Sequence, residues 1–310
     1  MGDGYSDRQI ASGKYDQDLG KAINLIFNEE PYKTFKNLFN IYQVTAVSNC
    51  EGYGINSGTA FEGYFGDGTL VGGNDSKVLE YTQKAINEDR VDDALIIVIM
   101  NRNYYAGTCY MYYPSNYSDC GAGVSISYFP LGTNDAMFAG LICHEAGGHG
   151  FAKLGDEYVS ENTGNIPSTE INKHQTQQAN WGWWKNADFT NDLSTIRWSH
   201  FINDSRYANE GLGAYEGGLT YQTGVWRPTE NSIMRHNTGG FNAPSREAIY
   251  YRIHKLAYGA DWEYDYEEFV EWDARNRSNS ATTRGVPYKS AINKPTHPPV
   301  IVNKSWRDAK

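Results

Sequence analysis

Two histidines five residues apart, separated by a glutamate and a pair of glycines, constrain this chain more than any other feature. The segment reads Cys143-His-Glu-Ala-Gly-Gly-His-Gly-Phe-Ala-Lys-Leu-Gly-Asp-Glu-Tyr158. A common zinc-binding helix carries its histidines at i and i+4, on one face, with the intervening glutamate as base. Here the spacing is i to i+5, from His144 to His149. At ~100° per residue an ideal helix sets such rings about 140° apart, which cannot serve one tetrahedral ion. A single π-turn brings them nearly back into line, and such bulges gather at functional sites. Gly147 and Gly148 lie where the extra residue must fit and relieve its steric cost. The pattern predicts a helix from Ala136 to about Leu154, capped by Asn134 or Asp135, with a π-turn inside it.

Two histidines make half a site, with Glu145 as the base. Gly155 can turn the chain back after Leu154, and Asp156 and Glu157 follow at once. Asp156 is favoured as the third ligand, with Glu157 the alternative if the turn is one residue tighter. A second signal is Asn231-Ser-Ile-Met-Arg-His236. In metzincin peptidases a Ser-x-Met turn runs beneath the metal and a helix follows it. Met234 stands in that order, ahead of a helix read from Ser245 (its N-cap) to Gly259. His236, two residues on, falls where several metzincins carry a tyrosine that leans toward the metal. It is a candidate to hold the oxyanion, bind the metal or simply pack.

The rest of the chain alternates helix and strand signals. Asp16 to Phe35 has helical spacing, and Phe39–Val47 alternates like a strand. A Gly-rich loop runs from Cys50 to about Gly73, and Ser76 to Asn87 reads as a helix capped by Ser76. Ala94–Met100 is continuously apolar, the mark of a strand buried on both faces. Gly123–Phe129 alternates strictly and reads as a half-exposed edge strand, where an extended substrate could add. Between Ile166 and Gly224 no long periodic run appears, and Trp181-Gly-Trp-Trp184 lies there as core or as a peptide or glycan subsite. The order of elements is that of an α/β or α+β fold. It is expected to hold a mixed sheet with an antiparallel edge strand, a catalytic unit over residues 1–260 divided at about 155, and a tail over 261–310.

Together these segments resemble the IgA-peptidase-like zinc metallopeptidases of bacteria, over most of the chain. Gly2-Asp-Gly-Tyr5, Leu154-Gly-Asp-Glu-Tyr158, Gly213-Ala-Tyr-Glu-Gly217, Trp226-Arg-Pro228 and Ser232-Ile-Met-Arg235 carry the likeness. Many members have His-Glu-x-x-His; the longer spacing here is similar to the His-Glu-x-x-Gly-His motif of the dipeptidyl peptidase III family. The resemblance implies a metzincin-like fold and a secreted or surface-attached endopeptidase. Zinc would be held by His144, His149 and Asp156, and a protein, peptide or glycoprotein would be the substrate. The other reading is a catalytically weak or inactive zinc-containing surface protein that binds a glycan or protein partner, and a third is a closed structural metal site.

Composition removes other classes. Lys plus Arg number 27 against 37 Asp plus Glu, a net charge of −10 that repels phosphate backbones and argues against nucleic acid. The seven-residue apolar run falls far short of the ~20 residues a bilayer requires, so no membrane span is expected. The opening Met1-Gly-Asp-Gly-Tyr5 has no basic start or apolar core, so no signal peptide is visible. Cys143 beside His144 cannot form a catalytic dyad, since helix neighbours diverge by ~100°. Cys109 and Cys120 bracket a Tyr-rich loop that a disulfide can close, one of three full pairings open to four cysteines. His174, His200, His254 and His297 have no metal-like spacing and read as structural or exposed.

Overall fold

The apolar run becomes a strand, Leu95–Met100, near the middle of the main sheet. Ile96, Val98 and Met100 face one core, and Leu95, Ile97 and Ile99 the other. A strand covered on both faces needs no polar alternation, which is why the run is continuous. The computed structural model describes residues 1–53, 58–132, 134–161, 163–283 and 296–309. Among these the strands are β1 (Gly2–Asp3), β2 (Tyr64–Phe65), β3 (Val71–Gly72), β4 (Leu95–Met100), β5 (Thr108–Tyr113), β6 (Ser125–Pro130), β7 (Tyr215–Gly218), β8 (Tyr221–Arg227) and β9 (Val300–Ser305). The helices are α1 (Asp7–Ala11), α2 (Lys14–Ile26), α3 (Asp75–Thr82), α4 (Asp135–Ile142), α5 (Ser168–Trp181), α6 (Ser199–Ile202), α7 (Ile233–His236), α8 (Ala243–Tyr258) and α9 (Tyr266–Thr283), with a π-helix over Cys143–Phe151.

The main sheet runs β1-β4-β6-β5-β9. β5 lies antiparallel to β6, and the other pairs are parallel. The architecture is thus a mixed sheet between helical layers, as an α+β reading requires. One face is covered by α2, α4, the π-helix and α8 through Leu19, Ile26, Leu141, Ile142, Phe151 and Ile249. The other is covered by Phe61, Val78, Leu79 and Trp306. No helix among the described residues is long and apolar enough to cross a membrane.

Several expectations change. Gly123–Phe129 is not an edge: β6 sits between β4 and β5 and every residue of it is buried. Its polar alternation has an internal cause. Ser127 Oγ donates to the Glu145 carbonyl at 3.2 Å, and Ser125 Oγ accepts from Lys153 Nζ, so the serines serve the π-helix rather than solvent. Phe39–Val47 forms no strand; it lies along α2, where Tyr15 donates to the Val44 carbonyl at 2.8 Å, with Ile41, Tyr42 and Val47 exposed. The first long helix stops at Ile26 rather than Phe35, ahead of Pro31, which lacks the amide a helix needs. Helix α3 starts one residue before Ser76 and ends at Thr82, capped by Asn74. Helix α8 is capped by Asn242, with Pro244 in its first turn, so Ser245 is helical. The stretch 166–224 contains α5, a helix of 14 residues with only Gln177 and Gln178 buried, hence without an apolar period. Cys109 and Cys120 are not bridged: Cys109 is buried on β5, and all four cysteines are free thiols.

Candidate metal centre

The helix begun by α4 passes into the π-helix at Cys143, and the wider turn swings His149 round to His144. Tyr32 donates to the Gly147 carbonyl at 2.6 Å, inside the widened turn. Gly148 is dictated by close approach: a Cβ there would collide with Sδ of Met234, which is fully buried beneath the helix. The Ser-Ile-Met segment thus touches the π-helix directly.

Asp156 completes a cluster. One ligand-type atom from each of His144, His149 and Asp156 lies within 4.8 Å of the others, and all three residues are buried. The two Nε2 atoms are 2.9 Å apart, and Asp156 Oδ1 is 3.2 Å from the first and 3.1 Å from the second. Each Nδ1 faces a main-chain carbonyl, Ile233 at 2.9 Å for His144 and Leu154 at 2.7 Å for His149. A carbonyl can only accept, so in the neutral rings Nδ1 carries the proton and Nε2 keeps its lone pair. Three lone pairs therefore converge among buried side chains. A cation, or an added proton, reconciles them, and two imidazoles with one carboxylate form a donor set suited to zinc with a coordination position left open. Burial disfavours a charged His149, yet the neighbouring Asp156 outweighs it and raises the ring's pKa. Burial likewise opposes ionised Asp156, but the two rings hold its carboxyl below the usual range.

Glu157, the alternative ligand, points elsewhere. Its carboxylate accepts from Asn186 Nδ2 at 2.9 Å, Asn242 Nδ2 at 2.9 and 3.1 Å, and Ser232 Oγ at 2.7 Å. Its amide donates to the Met234 carbonyl at 2.9 Å. It ties the Asp156 turn to the Ser232–Met234 segment.

Glu145 is fully buried, and neither carboxyl oxygen has a hydrogen-bond partner. Burial pushes its pKa up, against the pull of His144 and His149. The start of β5 leaves it room: a Cβ on Gly107 would stand 3.0 Å from Glu145 Cγ. His236 ends α7 and is not part of the three-residue cluster; burial, then Arg235 and Arg227, lower its pKa to about 4. Trp183 and Trp184 are core residues, packed with Met111 and Val225.

Two neighbours escaped the sequence reading. Tyr158 is buried two residues after Asp156, and burial holds its phenol well above the ordinary pKa, so it stays protonated. It donates to the Thr296 carbonyl at 2.8 Å. Thr296 is itself buried, and its hydroxyl is among the groups that restrain the Glu145 pKa. Tyr158 stood inside a quoted motif; nothing local marked Thr296. The sequence matches the family model described as IgA Peptidase M64 over residues 1–207 and again over 199–253. No curated protein matches it.

Proposed function

The chain belongs to the IgA peptidase M64 family, and from that premise we propose that it is a zinc-dependent endopeptidase with His144, His149 and Asp156 as ligands and Glu145 as general base. The observation that carries the reading is the convergence of two Nε2 atoms, each on a ring whose Nδ1 faces a carbonyl, and one carboxylate oxygen beside a buried carboxyl that makes no hydrogen bond. A zinc ion bound there would supply Lewis acidity, polarising the scissile carbonyl and lowering the pKa of water. Glu145 takes a proton from the attacking water and passes it to the leaving amine, a role suited to a carboxyl whose pKa burial has raised. The hydrogen bonds from Nδ1 to the Ile233 and Leu154 carbonyls fix both rings, as outer partners of ligating histidines do. Glu157 and Met234 hold the third-ligand turn and the π-helix in mutual register. His236, neutral at ordinary pH, supplies a donor for the oxyanion.

The substrate class is extended polypeptide, and the setting is extracellular or cell-surface, as the resemblance implies. The deciding experiment is metal analysis of the purified chain with Glu145→Ala and His149→Ala in parallel, alongside hydrolysis of an unfolded protein. Expected are about one zinc per chain, lost in His149→Ala and kept in Glu145→Ala, with hydrolysis lost in both. Zinc without hydrolysis in the unaltered chain would replace the peptidase by the zinc-containing binding protein. Zinc that resists chelator and carries no exchangeable water would make the site structural.

A further inference from the structure

β5 begins at the Glu145 carboxyl, because Gly107 leads directly into it. Its inner edge pairs with β6. Its outer edge is therefore the line along which an extended polypeptide could add to the sheet and reach the metal centre. The chain's own C-terminal segment holds that line. Val300, Ile301 and Val302 of β9 pair with Tyr110, Met111 and Tyr112, parallel to β5. Upstream, Thr296 lies in the centre itself, with its carbonyl on Tyr158 and its hydroxyl beside Glu145. The segment thus starts at the reacting groups and runs outward along the sheet edge.

We propose that residues Thr296–Ser305 are an internal occupant of the peptide-binding edge, displaced when a substrate polypeptide pairs with β5. The inference rests on the peptidase reading of the same site. Direction favours occupancy over turnover: an incoming chain antiparallel to β5 would bring its C-terminal end to the metal, whereas β9 brings its N-terminal end. The hold is modest by sheet standards. β9 is half-buried or exposed at every position, unlike β6, and has a neighbour on one side only. Its side-chain hydrogen bonds to the β5 segment are Tyr113 Oη to Asn303 Oδ1 at 2.7 Å and Ser115 to Ser305 at 3.1 Å, both exposed, while Ile301 and Val302, each half-buried, pack against the two cores. The firm anchor comes after the strand: Trp306 is fully buried in the core beneath the sheet, and Arg307 pairs with Glu88 at 2.6 Å. An edge strand on a few ladder bonds, each worth about 1 kcal/mol net, can be exchanged while its anchor stays in place.

The test measures binding apart from hydrolysis. Fluorescein-labelled unfolded casein is titrated into the zinc-loaded full chain carrying Glu145→Gln, which leaves a bound polypeptide uncut. The same titration is run with Trp306→Ala added, and separately with Ile301→Pro plus Val302→Pro. Adjacent residues of a strand face opposite sides, so the proline pair removes a ladder donor whichever of them faces β5. Binding is expected to tighten about tenfold in both, matching the loss of one or two ladder bonds. Unchanged or weaker binding in the variants, with melting curves showing them folded, overturns the proposal. Should Trp306→Ala fail to fold, the proline pair, which keeps Trp306, decides. Hydrolysis is read separately with Glu145 intact: its absence from every variant sinks the peptidase reading, while the binding comparison still judges the strap.

Discussion

Glu145 and Glu157 are the same residue type, both buried, twelve positions apart and each next in sequence to a member of the His144–His149–Asp156 cluster, and their surroundings are opposite. The region around Glu157 is saturated: two asparagine amides and a serine hydroxyl converge on one carboxylate. Around Glu145 neither oxygen makes a hydrogen bond, although the Thr296 hydroxyl stands nearby. Burial raises the pKa of both. A carboxyl that accepts from three side chains is tied in one place and holds a loop. One that accepts from none is costly to bury and free to react. On the proposed function the contrast separates a part that positions from a part that works, though both stand in the same motif.

The largest effect that could break this contrast is on catalysis. Glu145→Gln should cut hydrolysis of an unfolded protein by about 10³-fold, the middle of the range for a lost general base. Zinc content should be unchanged and the melting temperature equal or higher, since an unpaired buried acid is gone. A variant that melts well below the unaltered chain would mean Glu145 is structural after all. Next comes Glu157→Ala, expected to cost about 3 kcal/mol by chemical denaturation, because it strands the Asn186, Ser232 and Asn242 donors in the interior. Its zinc affinity should fall in step as the Asp156 turn loosens. A loss below about 0.5 kcal/mol would erase the distinction.

Gly148→Ala probes the packing that both regions share. Its new methyl meets Met234 Sδ, and overpacking of this kind typically costs about 2 kcal/mol. Pairing it with Met234→Ala should recover part of that, a coupling readable in a double-mutant cycle. The smallest effect, read as a slope per pH unit, is in proton-linked stability. His174 lies far along the sequence from both glutamates, and burial lowers its pKa from 6.5 to about 4. A depressed histidine gives its full stability above pH 6.5 and loses it as pH falls toward 4. The acid limb should therefore slope by about 1 kcal/mol per pH unit across that window, and His174→Gln should flatten it.

What could be read from the sequence follows the range of the interactions involved. The π-helix is a local matter: histidine spacing, two glycines and helical angles define it within six residues, and Asn134 caps the preceding α4 as foreseen. β4 was legible because two cores cover it and its run is unbroken. Which of Asp156 and Glu157 faces the two histidines was not a local matter, since Asn186 and Asn242, far off in sequence, hold the Glu157 carboxylate elsewhere. β6 misled because its serines alternate as if for solvent while they satisfy the Glu145 carbonyl and Lys153. Helix α5 was invisible for a related reason: its buried side chains are glutamines, held through Trp184 and main-chain carbonyls, so it has no apolar stripe. β9 offered three apolar residues and a partner that only the fold supplies.

That last pairing bears on how the molecule is made. Tyr113 of β5 and Asn303 of β9 are 190 residues apart. A ribosome adds about 5–20 residues per second, so β5 waits on the order of 10–40 seconds for its outer neighbour. The π-helix, the Asp156 turn and the methionine segment all emerge during that interval. The nascent chain therefore passes through a stage in which His144, His149 and Asp156 are already made while a naked strand edge waits beside them, the kind of edge to which other chains adhere.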